Sequence, residues 1–183
     1  GRSRDLFAFL PVKDSGFRFL AHADFVLATS REAVREDLPW NIRLRDALGD
    51  CLTEAILECR SKSPPGATAL RVLTDPKAVV DPFLRGVLVR AIKLLGDEEC
   101  VPTIGGTWVR PGDAILTDSD GLWQLVPEDD AASLLSKKYV APDVDRIAQA
   151  LGRLGVGRFT LETLLTCIGN EHWRRERTPK WFG

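Results

Sequence analysis

The chain has 183 residues, 44% hydrophobic, 28% charged and 8% aromatic, with 25 Lys plus Arg against 26 Asp plus Glu. That length suits one ordinary domain or two small ones, and a net charge of −1 supplies no global field to hold a polyanion, which argues against a dedicated nucleic-acid binder. No apolar run approaches the roughly 18–20 residues that span a bilayer, no stretch reads as a secretory signal, and the composition excludes collagen, coiled coil and disulfide scaffold.

Leu6 to Leu10 is a short apolar run that Pro11 is expected to stop, and Asp14-Ser15-Gly16 supplies turn chemistry. From Phe17 to Ala28 the character alternates. Phe17, Phe19, Ala21, Ala23, Phe25 and Leu27 share one face, and Arg18, His22 and Asp24 the other, the period of a half-buried strand. The two runs are expected to form a hairpin or to neighbour each other in one sheet. After the polar stretch Thr29 to Pro39, Trp40 opens a helix whose Leu44, Leu48, Cys51, Leu52, Ala55, Ile56 and Cys59 recur at three- and four-residue spacing. Pro64-Pro65-Gly66 ends it in a loop. A second helix is predicted from about Ala78 to Leu95, with Val80, Leu84, Val87, Leu88, Ala91, Ile92 and Leu95 on one side and Pro82 in its first turn.

Past residue 97 the pattern changes. Gly105-Gly106 separates Val101–Ile104 from Thr107–Val109, a hairpin signal, and Ala114–Leu116 and Leu122–Val126 are expected as further short strands. Asp113 to Asp130 carries acids and no base, read as a solvated edge. Val144, Ile147, Ala148, Leu151 and Leu154 form a helical stripe, and Phe159 to Ile168 suggests another short helix. The resulting expectation is an α+β chain of two small mixed lobes. Residues 1–97 would carry a short sheet with two long amphipathic helices, and residues 98–183 a mixed strand-helix lobe with a helical C-terminus.

Most candidate chemistry has a structural reading. Cys51, Cys59, Cys100 and Cys167 form no C-x-x-C pair, and with His22 and His172 as the two histidines no zinc set is expected. Buried reduced thiols of an intracellular protein, cytoplasmic or nuclear, account for them. Gly152-Arg153-Leu154-Gly155-Val156-Gly157 fits G-x-x-G-x-G but follows a helix rather than a strand, so a helix C-cap explains it better than a phosphate loop. Asp118 and Asp120 lack the downstream Glu of a calcium loop and read as turn residues. Ser30 has no G-x-S-x-G setting. Trp173 with Arg174, Arg175, Arg177 and Lys180 is read as an amphipathic terminus that buries its Trp and solvates its arginines, not as a single-strand groove.

One segment stands apart: Asp24 to Asn41, DFVLATSREAVREDLPWN. It presents Ser30, Arg31 and Glu32 together on a polar loop, between a strand and the Pro39-Trp40-Asn41 start of a helix. An Arg held there can reach a phosphate of a neighbouring domain, because its planar fork matches paired anionic oxygens and stays charged. A surface Arg-Glu pair is the plain alternative.

Phe7-Ala8-Phe9-Leu10-Pro11, then Phe17 to Phe25 with His22 and Asp24, then Ser30-Arg31-Glu32 and Pro39-Trp40-Asn41 resemble, in this order, the segment that follows the ATPase domain in sacsin-like and NO VEIN-like proteins. These belong to the GHKL superfamily of gyrase, heat-shock chaperone, histidine kinase and mismatch-repair ATPases. The match covers roughly the first quarter of the chain, with weaker likeness at Val101-Pro102-Thr103 to Leu116 and at Leu154-Gly155-Val156. In the related chaperones a Ser-Arg-Glu of the middle domain contacts the nucleotide's terminal phosphate. The resemblance assigns that role to Arg31, with Ser30 and Glu32 as loop partners. The superfamily's N-E-x-x-D helix and D-x-G-x-G loop are absent. The resemblance therefore implies a coupling region that neither binds nor hydrolyses ATP on its own. ATP and Mg are expected in a longer protein whose upstream ATPase domain is the partner, alongside client proteins and no membrane. The lack of any Met fits an internal piece of such a protein. The alternative is a protein-protein interaction module with no nucleotide role.

Overall fold

The computed structural model describes residues 4–8, 10–60, 66–117, 121–141 and 147–175. The chain opens with β1 (Arg4–Ala8) and β2 (Leu10–Phe17), paired antiparallel, and β3 (Ala21–His22) adds parallel to the other side of β1. Pro11 lies inside β2 rather than stopping a strand. The sheet order β2-β1-β3 makes β2 an edge, where a residue without an N–H is tolerated. Asp14-Ser15-Gly16 is not the end of a strand either. The partner of Arg4 is Phe17 while that of Asp5 is Asp14, so Ser15 and Gly16 form a bulge. Gly16 has φ +74, its N–H donates to Asp14 Oδ1 at 2.8 Å, and a Cβ there would lie 3.3 Å from the Cα of Val79. Beyond His22 the ladder ends, yet Phe25 stays buried between exposed Asp24 and Val26, so the period-2 burial outlasts the strand expected to produce it.

Two helices pack on this sheet. Helix α1 runs over Pro39–Cys59, starting one residue ahead of the expected Trp40, and α2 over Pro82–Leu95. Asp81 explains why α2 begins later than Ala78. Its carboxylate accepts from the N–H groups of Phe83 and Leu84 at 2.8 and 3.2 Å, and Pro82 takes the first position, where no donor is missed. Val80 consequently lies ahead of the helix and is 92% exposed, not on its core side, whereas Leu84, Val87, Leu88, Ala91 and Leu95 are fully buried. On α1 the buried face is Asn41, Gly49, Leu52, Thr53 and Ile56; Cys51 and Ala55, expected on that face, are exposed. Of the cysteines only Cys100 and Cys167 are buried, and burial pushes the Cys100 thiol up to about 11, away from thiolate chemistry.

β4 (Val101–Pro102) and β5 (Trp108–Val109) form the expected hairpin. β6 (Ala114–Leu116) is central in a parallel sheet of order β7-β6-β8, with β7 at Lys138–Tyr139 and β8 at Gly157–Arg158. The central strand β6 is buried on both faces, as the middle of a parallel sheet requires, while β8 at the edge is exposed. Ala114 and Leu116 join the large core with Leu84, Leu88, Leu95 and Leu151, which is continuous across residues 97 and 98. Ile115 points into a smaller cluster with Val126, Tyr139, Phe159, Leu164, Cys167 and Trp173. Tyr139 donates to the carbonyl of Val126 at 2.8 Å.

Leu122–Leu125 is a 3-10 turn, not a strand. Gly121 at φ +73 redirects the chain, and a three-residue period brings Trp123 and Val126 to the same cluster, which alternation cannot do. Helices α3 (Glu128–Leu135), α4 (Ala148–Arg153) and α5 (Leu161–Gly169) complete the fold. The acids Glu128, Asp129 and Asp130 occupy the first turn of α3, where the helix dipole favours them.

Two outcomes follow from these contacts. A Cβ on Gly49 would lie 2.9 Å from Arg90 Cβ and 3.0 Å from the Val87 carbonyl, so α1 and α2 touch backbone to backbone there. Gly49→Ala is expected to lower the denaturation free energy by roughly 1–3 kcal/mol despite the better helix propensity of Ala. Burial alone would raise the Asp81 carboxyl, but the paired Lys13 ammonium and the capping N–H groups outweigh it and hold it below the usual carboxylate range. Its contribution is therefore complete above a pH of about 4 and is lost as pH falls through the lowered folded value. Denaturant midpoints measured from pH 6 to pH 2.5 should fall less steeply for Asp81→Asn than for the natural chain.

Candidate functional site

The segment 23–38 crosses from β3 to α1 as a folded-back loop. The Arg35 N–H donates to the Val26 carbonyl at 3.0 Å, Leu27 bridges Val34, and the Ala28 N–H donates to the Ala33 carbonyl at 2.8 Å. This narrow ladder pushes residues 29–32 out as its tip. Ser30, Arg31 and Glu32 are all exposed there, in the loop setting expected of them.

What holds the loop is Asn41, on the first turn of α1 and fully buried. Its Oδ1 accepts from the Val26 N–H at 2.9 Å, and its Nδ2 donates to the carbonyls of Val26 at 2.7 Å and Arg35 at 2.8 Å. One amide thereby satisfies both limbs of the loop at the point where they meet the helix. Trp40 adds a bond from Nε1 to the Asp24 carbonyl at 3.1 Å. In the sequence Pro39-Trp40-Asn41 reads as a helix start, which assigns Asn41 no role. The available signal was a polar residue directly ahead of an amphipathic stripe, which by itself does not say what the amide faces.

Arg31 has φ +61, in the left-handed region, and its N–H donates to the Ala28 carbonyl at 2.8 Å. For a residue with a Cβ this conformation costs about 1–2 kcal/mol. Only Ser136, at a helix C-cap, shares it among the described non-glycine residues. A glycine would relieve that cost, so the strained position carries a side chain at the expense of stability. The Ser30 hydroxyl faces the Glu32 N–H at a long 3.4 Å, and among the described residues neither side chain bonds to the Arg31 guanidinium. Ser30 and Glu32 shape the tip rather than hold the Arg. Close by, Arg35 and Asp37 pair at 2.6 Å on the surface, and this hydrogen bond raises the Arg35 pKa and lowers that of Asp37.

A cleft of about 560 Å³ opens beside the tip. Leu10, Pro11 and Val12 of β2 form one wall, Phe25, Leu27 and Ala28 the other, and Arg31 also lines it. The site therefore combines an apolar trough with one cation whose guanidinium is not used internally among the described residues.

The other motifs take structural roles. Arg153 ends α4, and Gly155 at φ +88 follows its cap; the Val156 N–H donates to the Leu151 carbonyl and the Gly155 N–H to that of Gly152. That paired pattern is a Schellman stop, so Gly152 to Gly157 is a helix end as read from its position after a helix. Trp173 is buried and donates from Nε1 to Asp130 Oδ2 at 2.8 Å, while Arg174 and Arg175 are exposed. Arg177, Lys180 and Trp181 lie outside the described residues, as do Asp118 and Asp120. No cluster of His, Cys, Asp or Glu suited to a metal occurs among the described residues, and no described helix is long and apolar enough to cross a membrane.

The chain is 25% identical over 178 residues to Protein NO VEIN of Arabidopsis thaliana. The likeness takes in 91% of this chain but 6% of that protein, so it supports a NO VEIN-like relationship for a small segment of a much longer protein. No family model matches the chain, and no solved structure matches it significantly.

Removing the amide in Asn41→Ala leaves the Val26 N–H without a partner and takes one of two donors from each of the Val26 and Arg35 carbonyls, which is expected to cost roughly 1–3 kcal/mol in chemical denaturation. Arg31→Gly, by contrast, should leave stability unchanged or raise it by up to about 1 kcal/mol, since it removes the left-handed strain.

Proposed function

We propose that this chain is the non-catalytic coupling region of a large chaperone-like GHKL ATPase, and that Arg31 senses the terminal phosphate of ATP and Mg held by an upstream domain of the same protein. The observation that supports the reading most is the strained Arg31 at an exposed tip, held through the buried Asn41 amide to a long helix. A guanidinium delivered by a rigid loop adds positive charge where charge develops on the transferred phosphoryl group. The helix behind it gives the loop a firm base, so docking has two states, engaged and released, and the phosphate biases between them. The apolar cleft next to Arg31 favours a second reading, an interaction module that receives a partner's apolar side chain with no nucleotide role.

The two readings separate in the full-length protein. Under the coupling reading, Arg31→Ala lowers ATP turnover by roughly 100-fold or more while nucleotide affinity stays within about threefold. Equal losses in turnover and affinity would sink it. Association with a partner that is weakened by Arg31→Ala but indifferent to ATP would favour the interaction module.

A further inference from the structure

A second cationic site lies away from the Arg31 loop, at the end of the 3-10 segment Gly66–Val72. At its end the Leu70 and Val72 carbonyls accept from the N–H groups of Leu73 and Thr74, while those of Arg71 and Leu73 accept from side chains. Arg18, just after β2, donates from Nη1 to the Arg71 carbonyl at 3.2 Å, and Arg153, at the end of α4, donates from Nη1 to the Leu73 carbonyl at 3.2 Å. Guanidiniums 53 and 80 residues away in sequence thus converge on a stretch that itself carries a third, Arg71.

Capping explains one N–H of Arg18 and one of Arg153, and no more. Each guanidinium has five donors, and among the described residues no carboxylate pairs with any of the three. Arg71 is half-buried, its guanidinium has no hydrogen-bonded or charged partner among the described residues, and its Nε is enclosed and unsatisfied. The Thr74 hydroxyl, three residues on, is likewise enclosed and unsatisfied. The nearest acid in sequence, Asp75, turns its Oδ1 to the Lys77 N–H at 2.8 Å, capping the next turn. A guanidinium partly withdrawn from water, as that of Arg71 is, is unfavourable unless an anion or a hydrogen-bond acceptor joins it. Guanidinium forks and a hydroxyl donor suit a tetrahedral oxyanion in particular.

We infer that the end of this turn, with Arg18, Arg71, Arg153 and Thr74, is a binding site for a phosphate group, either free phosphate or a phosphate monoester. Such a ligand ties α4 to the first sheet and does not depend on the role of Arg31.

Calorimetric titration of the chain with inorganic phosphate, and separately with phenyl phosphate, at ionic strength matched with chloride, tests this. The expected result is one saturable site, weakened roughly tenfold or more by Arg18→Gln and by Arg71→Gln and unchanged within twofold by Arg43→Gln on the exposed side of α1. Saturation with the free ion alone identifies inorganic phosphate as the ligand, and saturation with both identifies a monoester site. Should Arg71→Gln fail to give a folded circular-dichroism spectrum, the exposed Arg18→Gln decides the matter. No saturable heat with either compound, or equal weakening by Arg43→Gln, overturns the assignment.

Discussion

The buried face of α2 is the constraint from which the rest of the fold follows. Leu84, Val87, Leu88, Ala91 and Leu95 are wholly withdrawn from water, and elements before and after α2 bury their apolar side chains in the same core. Such burial is worth about 1.5–3 kcal/mol for each large side chain. α1 lies against α2 so closely that Gly49 has no space for a methyl group. The start of α2 is held as well, because Asp81 caps it while pairing with Lys13 of β2. Helix, cap and sheet are thus joined through one carboxylate.

That rigid base is what allows a strained loop to exist in front of it. The left-handed conformation of Arg31 at an exposed tip is offset by fixing the limbs of the loop elsewhere. Asn41 fixes them from the first turn of α1, and α1 is fixed in turn by α2. The path from core packing to the exposed guanidinium is short and made of named contacts. The phosphate-sensing role proposed for Arg31 needs this kind of support, since its benefit depends on arriving already oriented.

The parallel sheet in the second half does a different task. Its central strand β6 sends Ala114 and Leu116 into the large core and Ile115 into the small one. The two apolar clusters are therefore layered on either side of one sheet. Arg153 carries the same connection to the surface by bonding back to the Leu73 carbonyl.

The sequence by itself determined the α+β class, the two long helices, the Gly105-Gly106 hairpin, the helix stop at Gly155 and the exposed setting of Ser30, Arg31 and Glu32. Each of these depends on residues near one another in the chain: a 3.6-residue apolar period, a capping residue, a glycine in the left-handed region. Tertiary structure decided what depends on distant neighbours. Pro11 became part of a strand because β2 is an edge, Val80 fell outside α2 because Asp81 both caps the helix and binds Lys13, and Leu122–Leu125 coiled because Trp123 and Val126 had to meet Tyr139 in one cluster. The role of Asn41 was hidden for the same reason. An amide shows in the sequence only as a polar residue, and the backbone groups that it satisfies are 15 and 6 residues away.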